Sequence, residues 1–169
     1  MKDNLLKTEQ VFLNAYDEFS DAIFRYCYFR IHDRELAKDL TQETFIKTWQ
    51  YLSANKNKVD NLKAFLYKVA LNLIIDASRK KKTTSLDQLL DKGFEPSQDN
   101  TKEIENNILG KVAMDKINSL EDMYRDAVFM KYVEDMSVKD IAIALNETEN
   151  NISVRIHRGL KKIKEILNQ

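Results

Sequence analysis

The stretch NETENNISVRIHRGLKK, residues 146–162, sets five polar residues ahead of a basic helical pattern. Beyond Asn151, the residues Ile152, Ile156, Leu160, Ile163 and Leu167 recur at three- and four-residue steps and so share one helix face. Arg155, Arg158, Lys161, Lys162 and Lys164 lie between them and project mostly away from that stripe. Upstream, SVKDIAIAL reads as a short helix capped by Ser137 or a neighbour, with Ile141, Ala142 and Leu145 turned inward. A short helix, a polar turn and a longer basic helix make the helix-turn-helix layout, and the small Ala142 lets the two helices approach closely. The second helix, with Asn150 or Asn151 as its cap, then offers its first turns to the DNA major groove. Asn151, Ser153, Val154, Arg155, His157 and Arg158 are placed to reach bases or phosphates. Arginine can pair bidentately with guanine, and Val154 can meet a thymine methyl. A solvated basic face on an ordinary helical hairpin would give the same pattern. A membrane-surface helix fits less well, because the stripe is aliphatic and has no Trp or Phe anchor.

Two further groupings could do chemistry. In DLTQETFIKTW, residues 39–49, Asp39, Gln42 and Glu43 share a helix face, and Phe45 and Trp49 are four apart. An acidic-polar patch beside large aromatics suits docking on a basic partner helix, although core packing of Trp49 would look the same. In DASRKKK, residues 76–82, four consecutive cations end a helix that also holds Phe65, Tyr67, Lys68 and Asn72. Interleaved aromatics and cations suit stacking on unpaired bases, and the terminal cations alone would also complement the helix dipole. Catalysis finds little support. Cys27, His32 and His157 have no metal-ligand spacing, and no nucleophile sits in a Gly-rich elbow.

The elements that position these groups are helical throughout. Residues 8–31 show Phe12, Ala15, Tyr16, Phe19, Ala22, Ile23, Tyr26 and Cys27 at helical spacing. A second helix runs from an Asp33 cap to about Leu52, a polar loop follows, and a third spans about Asn61 to Lys80. The composition then shifts: between Thr83 and Gly110 there are six acids against two lysines, together with the only proline. Helical pattern resumes near Ile104, restarts near Asp122, and ends in the two helices joined by NETE. The expected fold is all-α, with two small helical domains joined by an acidic linker, the C-terminal one a helix-turn-helix. The boundaries are 8–82, 83–103 and 104–169.

Composition agrees with this reading. Three glycines and one proline in 169 residues argue against a turn-rich β fold. Lys plus Arg equals Asp plus Glu at 27 each, so any nucleic-acid signal must come from local clustering. The single cysteine cannot form an internal disulfide, which fits a reducing compartment. No apolar run approaches the roughly 20 residues of a membrane span, and the N-terminus lacks a secretory core. A cytoplasmic protein without membrane insertion is expected.

The order of these pieces resembles the bacterial RNA polymerase sigma factors of the sigma-70 family, specifically the small extracytoplasmic-function (ECF) group. AKDLTQETFIKTWQYL is very similar to that group's polymerase-docking helix. NLKAFLYKVALNLIIDASRKKK looks like its promoter −10 helix, and MYRDAVFMKYVEDMSVKDIAIALNETENNISVRIHRGLKKIKEIL like its −35 helix-turn-helix. The resemblance spans nearly the whole chain except the linker. It implies a non-enzymatic, cofactor-free role: binding core polymerase, recognising a promoter and helping to open it. Residues 8–82 would then be sigma region 2 and residues 104–169 sigma region 4.

The implied roles follow position by position. Asp39, Gln42 and Glu43, with Phe45 and Trp49 beside them, would meet the clamp helices of the polymerase's largest subunit. Asn55 and Asn57 in the 53–61 loop, with Phe65, Lys68 and Asn72, would hold a flipped −10 base, whose pairing edge is readable only once unstacked. Arg79, Lys80, Lys81 and Lys82 would hold the DNA backbone. Asn151, Ser153, Val154, Arg155, His157 and Arg158 would read the −35 element, with Lys161 and Lys162 on phosphates. An anti-sigma factor is the further implied partner, and the acidic linker is expected to cover the basic helix in the free protein.

Departures from the family pattern are Phe65 for the usual Trp, Glu121 where Pro often follows Leu120, and Ser153 and Val154 among the −35 readers. Gly159 stands where Ala is common, at a helix-propensity cost of about 1 kcal/mol. The alternatives are a polymerase-independent helix-turn-helix regulator and a helical interaction module sequestered by an anti-sigma-like partner.

Overall fold

The computed structural model describes residues 2–54, 59–88 and 108–168, with side chains from Leu6 to Lys81, leaving out 55–58, and from Gly110 to Asn168. Within them the chain forms seven helices and no strand. The first three are α1 (Lys2–Ile31), α2 (Arg34–Ala54) and α3 (Leu62–Gln88). The others are α4 (Ile108–Asn118), α5 (Asp122–Tyr132), α6 (Val138–Leu145) and α7 (Glu149–Leu167).

Local chemistry sets most of the boundaries. His32 adopts φ 57° and ends α1, its N–H donating to the Tyr28 carbonyl at 2.8 Å. Asp33 then caps α2 as expected, its carboxylate accepting from the Leu36 N–H at 3.0 Å. Asn61 does the same for α3, accepting from the Ala64 N–H at 2.9 Å. Ser137 caps α6, accepting from the Asp140 N–H at 3.0 Å.

Three boundaries differ from the sequence reading. α1 starts at Lys2, not residue 8. α3 continues to Gln88 rather than ending near Lys80, because no Gly or Pro interrupts the chain before Gly93. The cap of α7 is Thr148, not Asn150 or Asn151. Thr148 is extended and its hydroxyl accepts from the Asn151 N–H at 3.2 Å, which puts both asparagines inside the first turn. The acidic segment expected as linker lies largely outside the described residues.

α1, α2 and α3 pack around Ile23, Tyr26, Leu40, Phe45, Leu66 and Ile74, all buried. Thr44 and Thr48 are also buried and donate to the Leu40 and Thr44 carbonyls one turn back, so neither hydroxyl is stranded in the core. Cys27 is fully buried there, and desolvation pushes its thiol up to about 11, opposed by a hydrogen bond with Thr41. At pH 8 that leaves roughly two orders of magnitude less thiolate than an ordinary cysteine with a pKa near 8.5. A disulfide reagent such as Ellman's is therefore expected to leave Cys27 unmodified in the native protein and to modify it at once in denaturant. Rapid native labelling would contradict this burial.

The second group of helices is centred on Tyr124, Val128, Phe129, Ile141, Ile152 and Ile156. Within it α7 approaches α5 closely at Gly159. A Cβ built there would stand 2.6 Å from Val128 Cγ2, so the glycine lets α7 lie directly on α5. The two groups do not stand apart. α6 packs along α3, and Phe29 of α1 stacks on Phe129 of α5 with ring centroids 4.3 Å apart.

Candidate nucleic-acid interface

Three faces correspond to the groups singled out in the sequence. On α2, Asp39, Gln42, Glu43, Ile46 and Gln50 are all exposed, spaced by three or four residues along one outward stripe. Ile46, 55% exposed, adds an apolar centre to that stripe which the sequence reading passed over. Phe45 and Trp49 do not belong to it. Phe45 is 3% exposed, its ring edge-on to Phe12 and Tyr16 of α1, which makes it a core residue rather than a surface contact. Its position is one step off the outward stripe, and helical geometry sends it to the opposite side. Trp49 is half-buried against Phe12, ring centroids 5.2 Å apart.

On α3, Phe65 and Lys68 are half-buried and Asn72 is exposed, and their spacing puts all three on one helix face. Tyr51, near the end of α2, tilts against Phe65 with centroids 4.8 Å apart and is 42% exposed. The paired rings form an aromatic shelf between the end of α2 and the start of α3. Tyr51 was missed because no periodic pattern links the end of one helix to the start of the next. Asn55 and Asn57 lie outside the described residues. Arg79, Lys80 and Lys81 are exposed on the later turns of α3, whereas the side chain of Lys82 is outside the described set.

The third face is the first half of α7. α6 and α7 form the expected helix-turn-helix: Asn146 takes the left-handed conformation at φ 53°, and Glu147 N–H donates to the Ala142 carbonyl at 2.9 Å. Asn151, Ser153, Val154, His157 and Arg158 are exposed together. Arg155 is half-buried because it pairs with Glu147. Asn151 also donates to Glu147, and these two partners hold the Glu147 carboxyl below its ordinary range. Lys161 is exposed. Lys162 instead turns back to α5, pairing with Glu121 and lying 4.9 Å over the Tyr124 ring. Glu121, where the family often has proline, thus has a partner on α7.

His32 sits at the junction of the two helical groups, beside Asn118 at 2.8 Å. Burial, then the nearby Arg125, holds its pKa below the ordinary value. Among the described residues no cluster of His, Cys, Asp and Glu could hold a metal ion, and no helix is long and apolar enough to cross a membrane.

Comparison with known proteins supports the same division. The family model for Sigma-70 region 2 matches residues 15–84, and that for Sigma-70, region 4 matches residues 112–163. The ECF RNA polymerase sigma factor SigW of Bacillus subtilis is 28% identical, over 94% of this chain and 90% of its own length. SigM of the same organism is 27% identical, over 91% of this chain and 93% of its own. Among solved structures, the sigma factor RpoE of Bartonella quintana, in complex with the anti-sigma factor NepR, superposes with a TM-score of 0.73 at 20% identity. That match covers 94% of this chain and 98% of the other. CnrH, in complex with the cytosolic domain of CnrY, gives 0.69 at 16% identity, covering 95% and 89%. With two sigma-70 regions in order on one helical chain, and ECF sigma factors matching along nearly its full length, the chain belongs to the ECF group of the sigma-70 family.

Proposed function

We infer that this chain is a sigma factor that binds core RNA polymerase and directs promoter-specific transcription initiation. The observation that carries the reading is the presence of both regions, in order, on one chain. The exposed stripe Asp39, Gln42, Glu43, Ile46 and Gln50 is the proposed contact for the clamp helices of the largest polymerase subunit. Carboxylates and amides there match a basic helical partner, and Ile46 supplies an apolar centre. Phe45 and Trp49 support the stripe from behind by fixing α2 on α1.

The shelf of Phe65 and Tyr51, with Lys68 and Asn72, is the proposed −10 site. A flipped base can stack on an aromatic face there while an amide and an ammonium meet its edge. Arg79 to Lys82 would follow the backbone. Asn151, Ser153, Val154, Arg155, His157 and Arg158 are the proposed −35 readers, with Lys161 on phosphate. The chain supplies recognition and the polymerase supplies the chemistry, so we assign it no catalytic role and no cofactor, and place it in the cytoplasm with polymerase and promoter. The likeness in fold to the sigma factor RpoE, held by the anti-sigma factor NepR, supports an anti-sigma protein as a further partner.

Run-off transcription with purified core polymerase and genomic promoter fragments tests the reading. The wild-type chain is expected to yield discrete transcripts. Asp39→Ala/Gln42→Ala is expected to cut them about tenfold or more at limiting protein, without changing the far-UV dichroism. Specific duplex binding without polymerase, and no transcript from any fragment, would replace this reading with that of an independent DNA-binding regulator.

A further inference from the structure

The turn between α6 and α7 carries one carboxylate that two side chains of α7 share. Asn146 closes α6 in the left-handed conformation, and the Glu147 N–H returns to the Ala142 carbonyl at 2.9 Å, so Glu147 stands on a fixed backbone. Its Oε2 accepts from Asn151 Nδ2 at 3.1 Å, and its Oε1 pairs with Arg155 Nη2. Asn151 and Arg155 are one helical turn apart, so a single carboxylate spans both. Asn151 is held a second time through its backbone, its N–H donating to the Thr148 hydroxyl at 3.2 Å. The side chains of Arg155 and Glu147 are 21% and 27% exposed. The Lys47–Glu43 pair on α2, with both side chains 50% exposed, is of the loosely held kind that contributes little. The Glu147 pair is better screened from water and holds its geometry more firmly.

The chemistry of that carboxylate decides how Asn151 faces DNA. Asn151 first, and then Arg155, hold the Glu147 carboxyl below its ordinary range, so it is ionised at neutral pH and can only accept. Turned over, the Asn151 amide would set its oxygen against a carboxylate oxygen, acceptor on acceptor. The amide is therefore locked with Nδ2 toward the turn, and Oδ1 with the second Nδ2 hydrogen is what remains for a base. An asparagine not so held can turn through 180° and offer either end. In the major groove adenine presents its N6 amino group beside N7, and cytosine its N4 amino group, whereas guanine and thymine present the acceptors O6 and O4. Adenine can take both bonds from the locked amide and cytosine one. Guanine and thymine meet oxygen with oxygen.

We propose that Glu147 is a positioning residue for −35 reading: it fixes the hydrogen-bonding polarity of Asn151, so that one −35 position is read as an amino base (adenine or cytosine) against a keto base (guanine or thymine). The inference rests on the −35 role proposed above for α7. It gives Glu147, which precedes the helix that enters the groove, a part in specificity and not in affinity. The carboxylate repels phosphate and draws Arg155 partly out of solvent, so it works against attraction to DNA of any sequence. Discrimination is what it adds. A wrong base must either leave the Asn151 oxygen facing an acceptor or break the bond to Glu147.

Base preference tests this separately from binding strength. The probe is a fluorescein-labelled promoter fragment that yields a run-off transcript with the holoenzyme, each −35 base pair being replaced in turn by the other three. Wild-type holoenzyme is expected to bind the amino bases about 2- to 13-fold more tightly than the keto bases at one position of one strand, the range of one net hydrogen bond. Asn151→Ala should erase that preference and leave those at other positions. Glu147→Gln, an isosteric change at a partly exposed turn, should narrow the same preference by raising guanine and thymine, because a neutral amide pairs with either end of Asn151. These ratios are independent of the overall gain in affinity that loss of a negative charge brings. In the Asn151→Ala background, Glu147→Gln should change no ratio at that position. A carboxylate with a merely structural role would instead lower Tm and weaken all four bases alike. Ratios left unchanged by either substitution, or a preference for keto bases that Asn151→Ala removes, would overturn the proposal. A wild-type holoenzyme with no base preference anywhere in the −35 element would overturn the −35 role of α7 itself, and a chain that yields no transcript would overturn the sigma reading.

Discussion

Replacing Gly159 with alanine is expected to destabilise region 4, although the same change in an isolated helix would stabilise it. Alanine gains about 1 kcal/mol of helix propensity over glycine at an interior position. Here the new methyl would sit 2.6 Å from Val128 Cγ2, with Tyr124 Cβ at 3.4 Å and Leu120 Cδ1 at 3.6 Å closing the other directions. Val128 is 1% exposed and branched at Cβ, so its methyl cannot swing aside as the end of a long side chain would. Overpacking of this kind costs about 1–3 kcal/mol, and a contact this short belongs at the upper end, leaving a net loss. Thermal unfolding checks it. Gly159→Ala should lower Tm, and Val128→Ala/Gly159→Ala should recover part of the loss relative to Val128→Ala alone. Additive losses, or a Tm raised by Gly159→Ala, would show that the helices do not approach as closely as described. Larger side chains at 159 should displace α7 from α5 and with it the proposed −35 readers.

That glycine shows why the sequence was informative in some places and silent in others. Its propensity penalty was visible, because propensity is a local property of the residue. Its benefit was not, because Val128 is thirty-one positions away and meets it only when α7 packs on α5. The same division holds elsewhere. Asp33 and Ser137 were legible as caps because a cap acts on an N–H three residues on. The apolar steps place α7 correctly but its cap two or three residues late, since Thr148 and the asparagines at 150 and 151 are all good capping chemistry. Phe45 was read as surface because it neighbours an acidic-polar stripe, and only the helix phase relative to α1 sends it inward. The contacts between regions were beyond any pattern argument. Arg25 and Glu134 are 109 positions apart, and each alone looks like an ordinary solvated charge.

The placement of charges also shows how a chain with equal numbers of acids and bases can address a polyanion. Several acids are matched by cations on the body: Glu134 by Arg25, Asp126 by Arg30, Glu121 by Lys162. His157, Arg158 and Lys161 on α7 show no protein partner among those contacts and lie together on the exposed half of the helix. Neutrality overall is therefore compatible with a local positive edge, which is what phosphate contact requires.

The substitutions on α7 should accordingly separate into two classes when promoter binding is measured in the polymerase complex. Arg158→Ala is expected to weaken binding about 5- to 150-fold if the guanidinium pairs with a base, the range set by 1–3 kcal/mol per bidentate contact. If it instead holds a phosphate, the loss should be uniform across sequences, and the slope of log affinity against log salt should become shallower by about 0.9. Loss of neither kind would remove Arg158 from the interface. Lys162→Ala should leave both quantities nearly unchanged and lower Tm, because that ammonium is directed to Glu121 and Tyr124. Glu147→Gln tests the remaining cation. Removing the carboxylate frees Arg155 and Asn151 and deletes a negative charge at the edge of the groove-facing turn, so affinity for duplex should rise and its salt slope steepen. A fall in affinity would mean that Glu147 acts by positioning Arg155 for a base, and discrimination between −35 sequences should then relax in the same variant.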